Sequence, residues 1–368
     1  MSWITIAMLL AGIALLVGGA DLLVRGASRL ATSMGISPLV VGLTVVAYGT
    51  SAPELAVSIH AILVGQADIA IGNVVGSNIA NVLLILGVSA LVAPLAVAQQ
   101  LIRLDVPLMV LISGVLLGMS WNGVVSPLEG AILFAGAIAY TLFAIRKSRS
   151  ETRAVKEEYE QEYGASPAEE RKPARIATDF ALIAVGIFLL WLGSRWLVTG
   201  ATTLAEMFHI SSLVIGLTVV AVGTSLPELA TSVVAAARGE RDISVGNVVG
   251  SNIFNILAVL GLSAAVVPGG VHVSESAIGF DIPVMLVVAV ACLPVFFSGS
   301  RIERWEGAFF LFYYGAYTTY VVMKATDASR MILFERVMIW FVLPITAVTL
   351  AVVTIFEIRK RSRSHPEE

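Results

Sequence analysis

The sequence has little charge and almost no cysteine. Only 13% of its 368 residues are Asp, Glu, Lys or Arg, and Cys292 is the single cysteine. One cysteine excludes an intrachain disulfide. So few charges, together with 57% hydrophobic residues and a mean hydropathy of +0.90, exclude an ordinary soluble globule and are typical of a polytopic membrane protein. We therefore expect most of the chain to lie in a lipid bilayer.

The sequence also lacks the marks of a signal peptide and of an enzyme. No basic residue precedes the apolar run from Trp3 to Gly19, and no clear small-residue cleavage site follows it, so we interpret the run as a retained first helix. No histidine accompanies Ser51 or Ser225, no zinc motif occurs, and no distinct acid and base are found. We therefore expect a protein that is not an enzyme and has no cofactor.

Apolar segments dominate what is present. A transmembrane helix needs about 20 mostly apolar residues, and such segments recur along the whole chain. Five lie near 3–22, 38–64, 71–94, 104–120 and 126–145, five more near 177–200, 211–237, 245–267, 278–298 and 304–323, and an eleventh near 334–356. The predicted fold class is an all-α polytopic membrane protein.

The chain contains an internal duplication. Residues 42–55, GLTVVAYGTSAPEL, recur at 216–229 as GLTVVAVGTSLPEL, and residues 71–87 recur in similar form at 245–261. Matches this long at one offset indicate two copies of a structural unit. Each copy has five predicted helices. An odd number makes the second copy enter the membrane from the opposite side, which gives two inverted-topology repeats.

The duplication predicts the domain organisation. The parts are a first five-helix repeat at 1–145 with its motif block at 42–87, a cytoplasmic linker at 146–176, a second repeat at 177–323 with its block at 216–261, and an extra transmembrane helix with a basic cytoplasmic tail at 324–368.

The distribution of Lys and Arg supports the inverted arrangement independently. Basic residues gather in cytoplasmic loops, and here they gather in opposite loops of the two copies. Arg25, between the first two predicted helices, corresponds to Thr199 in the second copy. With the N-terminus outside and the C-terminus in the cytoplasm, only four of the 23 basic residues face outward, namely Arg195, Lys324, Arg330 and Arg336. We predict a multi-pass protein of the cell (plasma or inner) membrane in this orientation.

Glu54 and Glu228 are equivalent carboxylates inside predicted membrane helices. A charged side chain near the bilayer centre costs roughly 2.5 to 3.5 kcal/mol on insertion scales, so two of them need compensation. No Lys or Arg lies at a comparable depth, and a bound cation is the simplest compensation that remains. The alternative is that both are protonated and hydrogen-bonded between helices, but then neither copy would need its carboxylate.

Other oxygen atoms accompany each carboxylate. The proline before each glutamate frees the helix carbonyl of Gly49 or Gly223, four residues earlier. Thr50 and Thr224 lie four residues before the glutamates, on the same helix face. The next helix of each copy adds neutral oxygens that suit hard cations such as Ca²⁺ or Na⁺. These come from Asn73, Ser77, Asn78 and Asn81 in the first copy and Asn247, Ser251, Asn252 and Asn255 in the second.

Some residues of these helices also have a structural interpretation. Asn73, Asn78 and their copies are candidates to cap or bridge helices rather than to bind an ion. Glycines spaced four apart allow close helix packing, which is the favoured interpretation of Gly72, Gly76, Gly246 and Gly250.

The two motifs together resemble a known family. A Gly-Thr-Ser-x-Pro-Glu helix followed by a Gly-Asn-x-x-Gly-Ser-Asn helix occurs in both copies, like the alpha-repeats of the calcium/cation antiporter (CaCA) superfamily. The resemblance covers roughly the first 323 residues, and Gly-Asn-Val-Val-Gly-Ser-Asn is similar to the motif of sodium/calcium exchangers. It implies ten helices in two inverted halves, with the first and sixth helices sliding across the core as a gate.

The resemblance also implies a set of ion ligands. A central calcium site would use the carboxylates of Glu54 and Glu228 with the region of Thr50 and Thr224. Sodium sites would surround it, with Ala47, Thr50, Ser51 and Ser251 at the inner one, Ser77, Ala221, Thr224 and Ser225 at the outer one, and Asn81 and Asn255 in the middle. Some prokaryotic and potassium-dependent relatives have Asp where this chain has Asn255, which argues against potassium coupling.

The predicted function is cation/Ca²⁺ antiport, with Na⁺ exchanged for Ca²⁺ by alternating access around the two glutamates. Exchange follows if both ions need the same oxygens, because each state then holds one cargo or the other. Proton coupling stays open, since an emptied pair of buried carboxylates favours uptake of H⁺. A passive cation channel is the alternative from another class. The expected partners are Ca²⁺, Na⁺ or H⁺ and the lipid bilayer, and no nucleic acid.

Overall fold

The computed structural model describes residues 3–163, 173–208, 210, 212–215, 218–219, 221–297 and 299–326. In these residues the protein is mostly helical, with two short pairs of β-strands. The extra helix predicted at 334–356 lies outside the described residues, as does the basic tail.

The helices and strands follow one another in similar order in the two halves. The first half contains α1 (Trp3–Met34), α2 (Pro38–Thr50), α3 (Ala52–Leu63), α4 (Ala67–Val92), β1 (Leu95–Ala96), α5 (Leu101–Asn122), β2 (Val124–Val125) and α6 (Pro127–Tyr163). The second half contains α7 (Pro173–Met207), α8 (Ser212–Ile215), α9 (Ala221–Gly223), α10 (Leu226–Ala237), α11 (Arg241–Val266), β3 (Val271–His272), α12 (Ala277–Phe297), β4 (Arg301–Ile302) and α13 (Arg304–Thr326).

The described residues account for some of the eleven membrane spans that the sequence predicts. Within the described residues, seven helices are long and apolar enough to cross a membrane, and the bent pair α2–α3 makes an eighth. The counterpart of that pair, predicted at 211–237, is described only in the pieces α8 to α10. α13 coincides with the span predicted at 304–323, but its many Tyr and Thr residues lower its mean hydropathy.

Two helices extend well beyond their predicted ends. α1 continues to Met34 rather than ending near residue 22, and α6 continues to Tyr163 rather than ending near 145. The first part of the predicted linker is therefore helical. The sequence after residue 145 is rich in Lys, Arg and Glu, which are strong helix formers. A hydropathy pattern registers where a segment leaves the bilayer, and the helix itself ends later.

The core is built from the two helices that carry the Gly-Ser-Asn motifs. In the most apolar part of α4, 78% of the residues are buried, and in α11 the value is 83%. The corresponding value is 28% in α1, α6 and α7. The motif helices are thus enclosed by protein, while the others present much of their surface outward.

The helix that carries each glutamate is broken just before it. α2 and α3 meet at Ser51, where the helix bends by 44°, and Ser51 has φ −85° and ψ 7°. Ser225 has nearly the same backbone angles, φ −87° and ψ 5°, immediately before α10. Pro53 and Pro227 occupy the first turn after each break, where a missing N–H costs nothing.

α1 and α7 touch through their backbones. A Cβ atom added to Gly19 would lie 2.8 Å from the carbonyl oxygen of Gly186, and one added to Gly186 would lie 2.8 Å from that of Gly19. Only residues without a side chain allow helices to approach this closely. The glycines that line this contact recur every seven residues, at Gly12, Gly19 and Gly26 in α1 and at Gly186, Gly193 and Gly200 in α7.

The short strands join the two halves reciprocally. β1, after α4, pairs with β4, before α13, through Leu95 and Ile302. β3, after α11, pairs with β2, before α6, through His272 and Val124. Each pair therefore links the end of one motif helix to the start of the last helix of the other half.

Candidate cation site

Glu54 and Glu228 are both buried, each 1% exposed. One carboxylate oxygen of each accepts a hydrogen bond from a serine of the opposite half. The Ser51 hydroxyl donates to Glu228 Oε1 over 2.8 Å, and the Ser225 hydroxyl donates to Glu54 Oε1 over 3.3 Å. Because these serines form the two helix breaks, the breaks bring the carboxylates of both halves into one site.

The second oxygen of each carboxylate has no hydrogen-bond partner. Glu54 Oε2 and Glu228 Oε2 are buried and unpaired, and among the described residues neither carboxylate has an ion-pair partner. Three predicted ligands share this property, namely Asn81 through Oδ1, Asn255 through Oδ1 and Ser251 through Oγ. Buried polar atoms are rarely left unpaired without a reason. A set of unpaired oxygens with two acids suits a hard cation.

Asn73 and Asn247 bridge helices beside the carboxylates. Asn73 Nδ2 donates to the Glu54 carbonyl at 3.1 Å, and its Oδ1 accepts from the Thr224 hydroxyl at 3.3 Å. Asn247 repeats this pattern, with a 3.4 Å bond to the Glu228 carbonyl and a 3.1 Å bond from the Thr50 hydroxyl. The contacts therefore favour the interpretation that these asparagines bridge helices.

The remaining predicted residues lie around this centre. The Ser225 Oγ also lies within hydrogen-bond distance of Ser77 Oγ, at 3.2 Å. Ala47 is fully buried, whereas Ala221 is exposed. Five predicted residues are joined to the two glutamates by these contacts, namely Thr50, Thr224, Ser51, Ser225 and Ser77. The other five have no direct hydrogen bond to either carboxylate among the described contacts, namely Ala47, Ala221, Ser251, Asn81 and Asn255.

The two halves of the site differ in how tightly they are covered. Gly246, in α11, packs on α2, since an added Cβ would lie 2.8 Å from the Leu39 carbonyl oxygen. At the equivalent position, Gly72 in α4, no described residue lies within 4 Å of an added Cβ, and Gly72 is exposed. Gly250 and Gly76 differ in the same way among the described residues. Within the described part of the chain, the packing interpretation of these glycines therefore applies to the second copy.

The carbonyl of Gly223 has a partner that the sequence argument missed. The Ser194 hydroxyl of α7 donates to it over 2.6 Å. The position equivalent to Ser194 in the first half is Ala20. The Gly223 carbonyl, which Pro227 leaves without its helical partner, thus accepts a hydrogen bond from a neighbouring helix in this conformation.

Two methionines also contact the site asparagines. Asn78 Nδ2 lies 3.5 Å from Met285 Sδ, and Asn252 Nδ2 lies 3.4 Å from Met109 Sδ. The sequence contained a signal for these two methionines, because each is the last residue of a duplicated segment, DVPLM or DIPVM. Methionine in an apolar helix is ordinarily a core residue, so the duplication was the informative feature.

Comparisons with known proteins agree with the sequence motifs. A model of the family described as "Sodium/calcium exchanger protein" matches residues 4–146 and 178–323. "Inner membrane protein YrbG" of Escherichia coli (strain K12) is 41% identical over 284 residues, which are 77% of this chain and 86% of that protein. "Sodium/calcium exchanger MaX1" of Methanosarcina acetivorans is 34% identical over 345 residues, 86% of this chain and 98% of that protein.

The fold is likewise similar to a solved exchanger. A structure of the sodium-calcium exchanger NCX_Mj, soaked with zero Na⁺ and Ca²⁺, superposes with a TM-score of 0.71 at 30% identity and covers 84% of this chain and 96% of its own. The family match spans most of the chain, and the relatives are similar over nearly their full lengths. The chain belongs to the sodium/calcium exchanger family of membrane transporters.

Proposed function

We propose that this protein is an antiporter that exchanges Na⁺ for Ca²⁺ at the site formed by Glu54 and Glu228. The observation that carries the proposal is the pair of unpartnered, buried carboxylate oxygens on opposite halves of one centre. Two carboxylates neutralise one divalent cation, and no described basic residue pairs with either of them. MaX1 and NCX_Mj are both named sodium/calcium exchangers, which favours Na⁺ as the counter-ion.

Calcium would bind between the two carboxylates, with oxygen atoms of the Thr50 and Thr224 segments nearby. The described residues contain no cluster of three or more His, Cys, Asp or Glu side chains. The charge available to the ion is therefore that of the two glutamates, and neutral oxygens complete its coordination. Ca²⁺ takes six to eight oxygen ligands, including carbonyl and amide oxygens.

Sodium would use oxygens around the same two acids. In this proposal Ala47, Thr50, Ser51 and Ser251 serve an inner site, Ser77, Ala221, Thr224 and Ser225 serve an outer site, and Asn81 and Asn255 lie between them. Ser51 and Ser225 already bond to the carboxylates, so a sodium ion on these hydroxyls would compete with calcium for the glutamate oxygens. Competition for shared ligands makes the transport an exchange.

The proposed topology has two inverted five-helix repeats, 1–145 and 177–323, with the linker 146–176 and the C-terminus in the cytoplasm. Two contacts support the placement of the basic loops of both repeats at the same end of the protein. Arg238, after α10, forms an ion pair with Asp21 of α1, and the Ser28 hydroxyl donates to Glu240 Oε1 over 2.8 Å. The second half of α1 and the loop after α10 therefore lie together, which agrees with the proposed inverted repeats.

In this orientation the site is open to the outside. Ala221 and Gly72, which are exposed, lie in the outer parts of their helices, and the packed contact between Gly246 and Leu39 lies on the cytoplasmic side. Alternating access requires one side to be closed while the other is open. The conformation described is thus the outward-facing one in our proposal.

The proposal is tested by calcium flux into proteoliposomes that contain the purified protein. Vesicles are loaded with Na⁺, with K⁺ or with a pH gradient, and uptake of radioactive calcium is followed. Uptake that requires an outward Na⁺ gradient is the expected result. Uptake driven only by the pH gradient would replace Na⁺ by H⁺ as the counter-ion, and uptake that depends on no counter-ion gradient would contradict antiport.

A further inference from the structure

A symmetric cluster of amides and thioethers lies at the centre of the protein. It joins α4 and α11 to α5 and α12, and every member is at most 2% exposed. Its members are Asn78, Asn81, Asn252, Asn255, Met109 and Met285. Two of them, Asn81 and Asn255, are proposed ion ligands, and the other four have no role in the exchange described above.

Backbone carbonyls fix the orientation of the first pair of amides. Asn78 Nδ2 donates to the Asn252 carbonyl over 3.2 Å, and Asn252 Nδ2 donates to the Asn78 carbonyl over 3.4 Å. A carbonyl oxygen can only accept a hydrogen bond, so the NH₂ group of each side chain must face it. The sulfur atoms of Met285 and Met109, at 3.5 Å and 3.4 Å, take the second N–H on the same side.

This orientation determines the orientation of the second pair. With their NH₂ groups committed, Asn78 and Asn252 present Oδ1 to the neighbouring amides. Asn255 Nδ2 donates to Asn78 Oδ1 over 3.0 Å, and Asn81 Nδ2 donates to Asn252 Oδ1 over 2.9 Å. Because these bonds hold the NH₂ groups of Asn81 and Asn255, the Oδ1 atoms of the same two amides face the opposite way. Both Oδ1 atoms are buried and have no hydrogen-bond partner.

We propose that Asn78 and Asn252 are positioning residues, held by Met285 and Met109, that keep the amide oxygens of Asn255 and Asn81 turned toward the transported cation. The proposal rests on the proposed function. An amide that flips presents N–H groups instead of an oxygen, and N–H groups repel a cation. Each orienting bond crosses from one half of the protein to the other, so each half sets the ligand geometry of its counterpart.

The same arrangement selects for a neutral residue at position 255. An Asp at this position would have no N–H to give, and its carboxylate would face Asn78 Oδ1, which is also an acceptor. The contact is relieved if Asn78 flips and loses its bonds to the Asn252 carbonyl and Met285, or if the Asp takes up a proton and donates its O–H to Asn78 Oδ1. The cluster therefore favours a site with two ionised side chains, those of Glu54 and Glu228.

A double-mutant cycle on Asn78 and Asn255 tests the positioning role. Asn78→Leu removes the acceptor that orients Asn255 while keeping similar volume, and we expect the KM for calcium to rise about tenfold, the equivalent of a neutral hydrogen bond. Asn255→Ala raises KM by itself. In that background Asn78→Leu should have no further effect on KM, because there is no amide left to orient.

Binding is measured independently by the rise in Tm of the purified protein when calcium is added, with the KM taken from flux. Ser120→Ala, which removes a buried hydroxyl at the end of α5 that has no hydrogen-bond partner, is the matched control and should leave both readouts unchanged. Met285→Leu is a milder variant for the case in which Asn78→Leu does not fold. It should raise KM about twofold, since the weaker sulfur contact is lost.

Equal KM increases for Asn78→Leu in both backgrounds would overturn the positioning role, as would folded Asn78→Leu or Met285→Leu protein with the wild-type KM. These outcomes leave the proposed function intact, because the wild-type protein still binds and transports calcium. Wild-type protein that shows neither flux nor a calcium-dependent Tm would overturn the proposed function together with this inference.

Discussion

The two halves of the cation site have almost the same sequence but different surroundings. Around Thr50 and Asn247 the site is buried, with Asn247 fully enclosed and Gly246 packed on the backbone of α2. Around Thr224 and Asn73 the equivalent residues are half-exposed, and no described residue lies within 4 Å of a Cβ added at Gly72. The hydrogen bonds within the site are nevertheless repeated in both halves.

The comparison distinguishes the residues that would bind the ion from the contacts that cover the site. The ligand geometry is common to both halves and is therefore expected to persist through the transport cycle. The packing that covers the site differs between the halves, and in this conformation it is found around Thr50 and Asn247. Because both halves carry the same motif, we interpret the asymmetry as a conformational state rather than a difference in chemistry.

The largest expected effect comes from the carboxylates, which should be equally essential despite their different halves. Glu54→Gln and Glu228→Gln should each abolish calcium transport, because a single remaining charge does not compensate a divalent cation. Calcium uptake and Tm are measured together. Glu129→Gln, at a carboxylate that receives hydrogen bonds from Ser126 at the start of α6, is the control and should retain transport. Transport by either site variant would contradict the proposed role.

The glycine pair should respond unequally to the same substitution. Gly246→Ala places a methyl group 2.8 Å from the Leu39 carbonyl oxygen, and overpacking of this kind costs about 1 to 3 kcal/mol. Gly72→Ala meets none of the residues that the structure describes within 4 Å and favours the helix by about 0.5 to 1 kcal/mol. Thermal unfolding should therefore show a lower Tm for Gly246→Ala only. Equal loss of Tm in both variants would remove the packing difference.

Chemical labelling should distinguish the open from the covered half. In a Cys292→Ala background, Ala221→Cys should react with a water-soluble thiol reagent added outside, since Ala221 is exposed. Ala47→Cys, at the equivalent buried position, should stay unlabelled from that side. Labelling from the cytoplasmic side alone would reverse the proposed orientation of the protein.

The smallest effect is expected at the ion pair between Asp21 and Arg238, which joins α1 to the loop after α10. A partly exposed ion pair is worth about 0.2 to 1 kcal/mol, so Asp21→Asn should favour opening of the covered half by a few-fold at most. The measurement is the rate of Ala47→Cys labelling from the cytoplasmic side. Glu303→Gln, in the exposed pair with Arg301, should not change that rate. An unchanged rate in Asp21→Asn would exclude the ion pair as a brake on opening.

The sequence predicted the duplication, and it pointed to the serines that bond to the carboxylates, because both rest on local patterns that occur twice. It could not predict which half is covered, since both halves carry the same motif. The bond from Ser194 to Gly223 was missed because it joins distant helices, although the equivalent Ala20 already shows that only one half can form it. Helix ends were misplaced where α1 and α6 continue beyond their apolar segments.

The central claim is that Ca²⁺ and Na⁺ compete for one set of oxygens, and equilibrium calcium binding to the purified protein tests it most directly. Calcium binding should weaken progressively as Na⁺ replaces K⁺ at constant ionic strength, and the effect should be lost together with calcium binding in Glu228→Gln. Calcium binding that is unchanged across all Na⁺ concentrations would contradict the claim, because the two ions would then occupy independent sites and the carboxylates would not couple their transport.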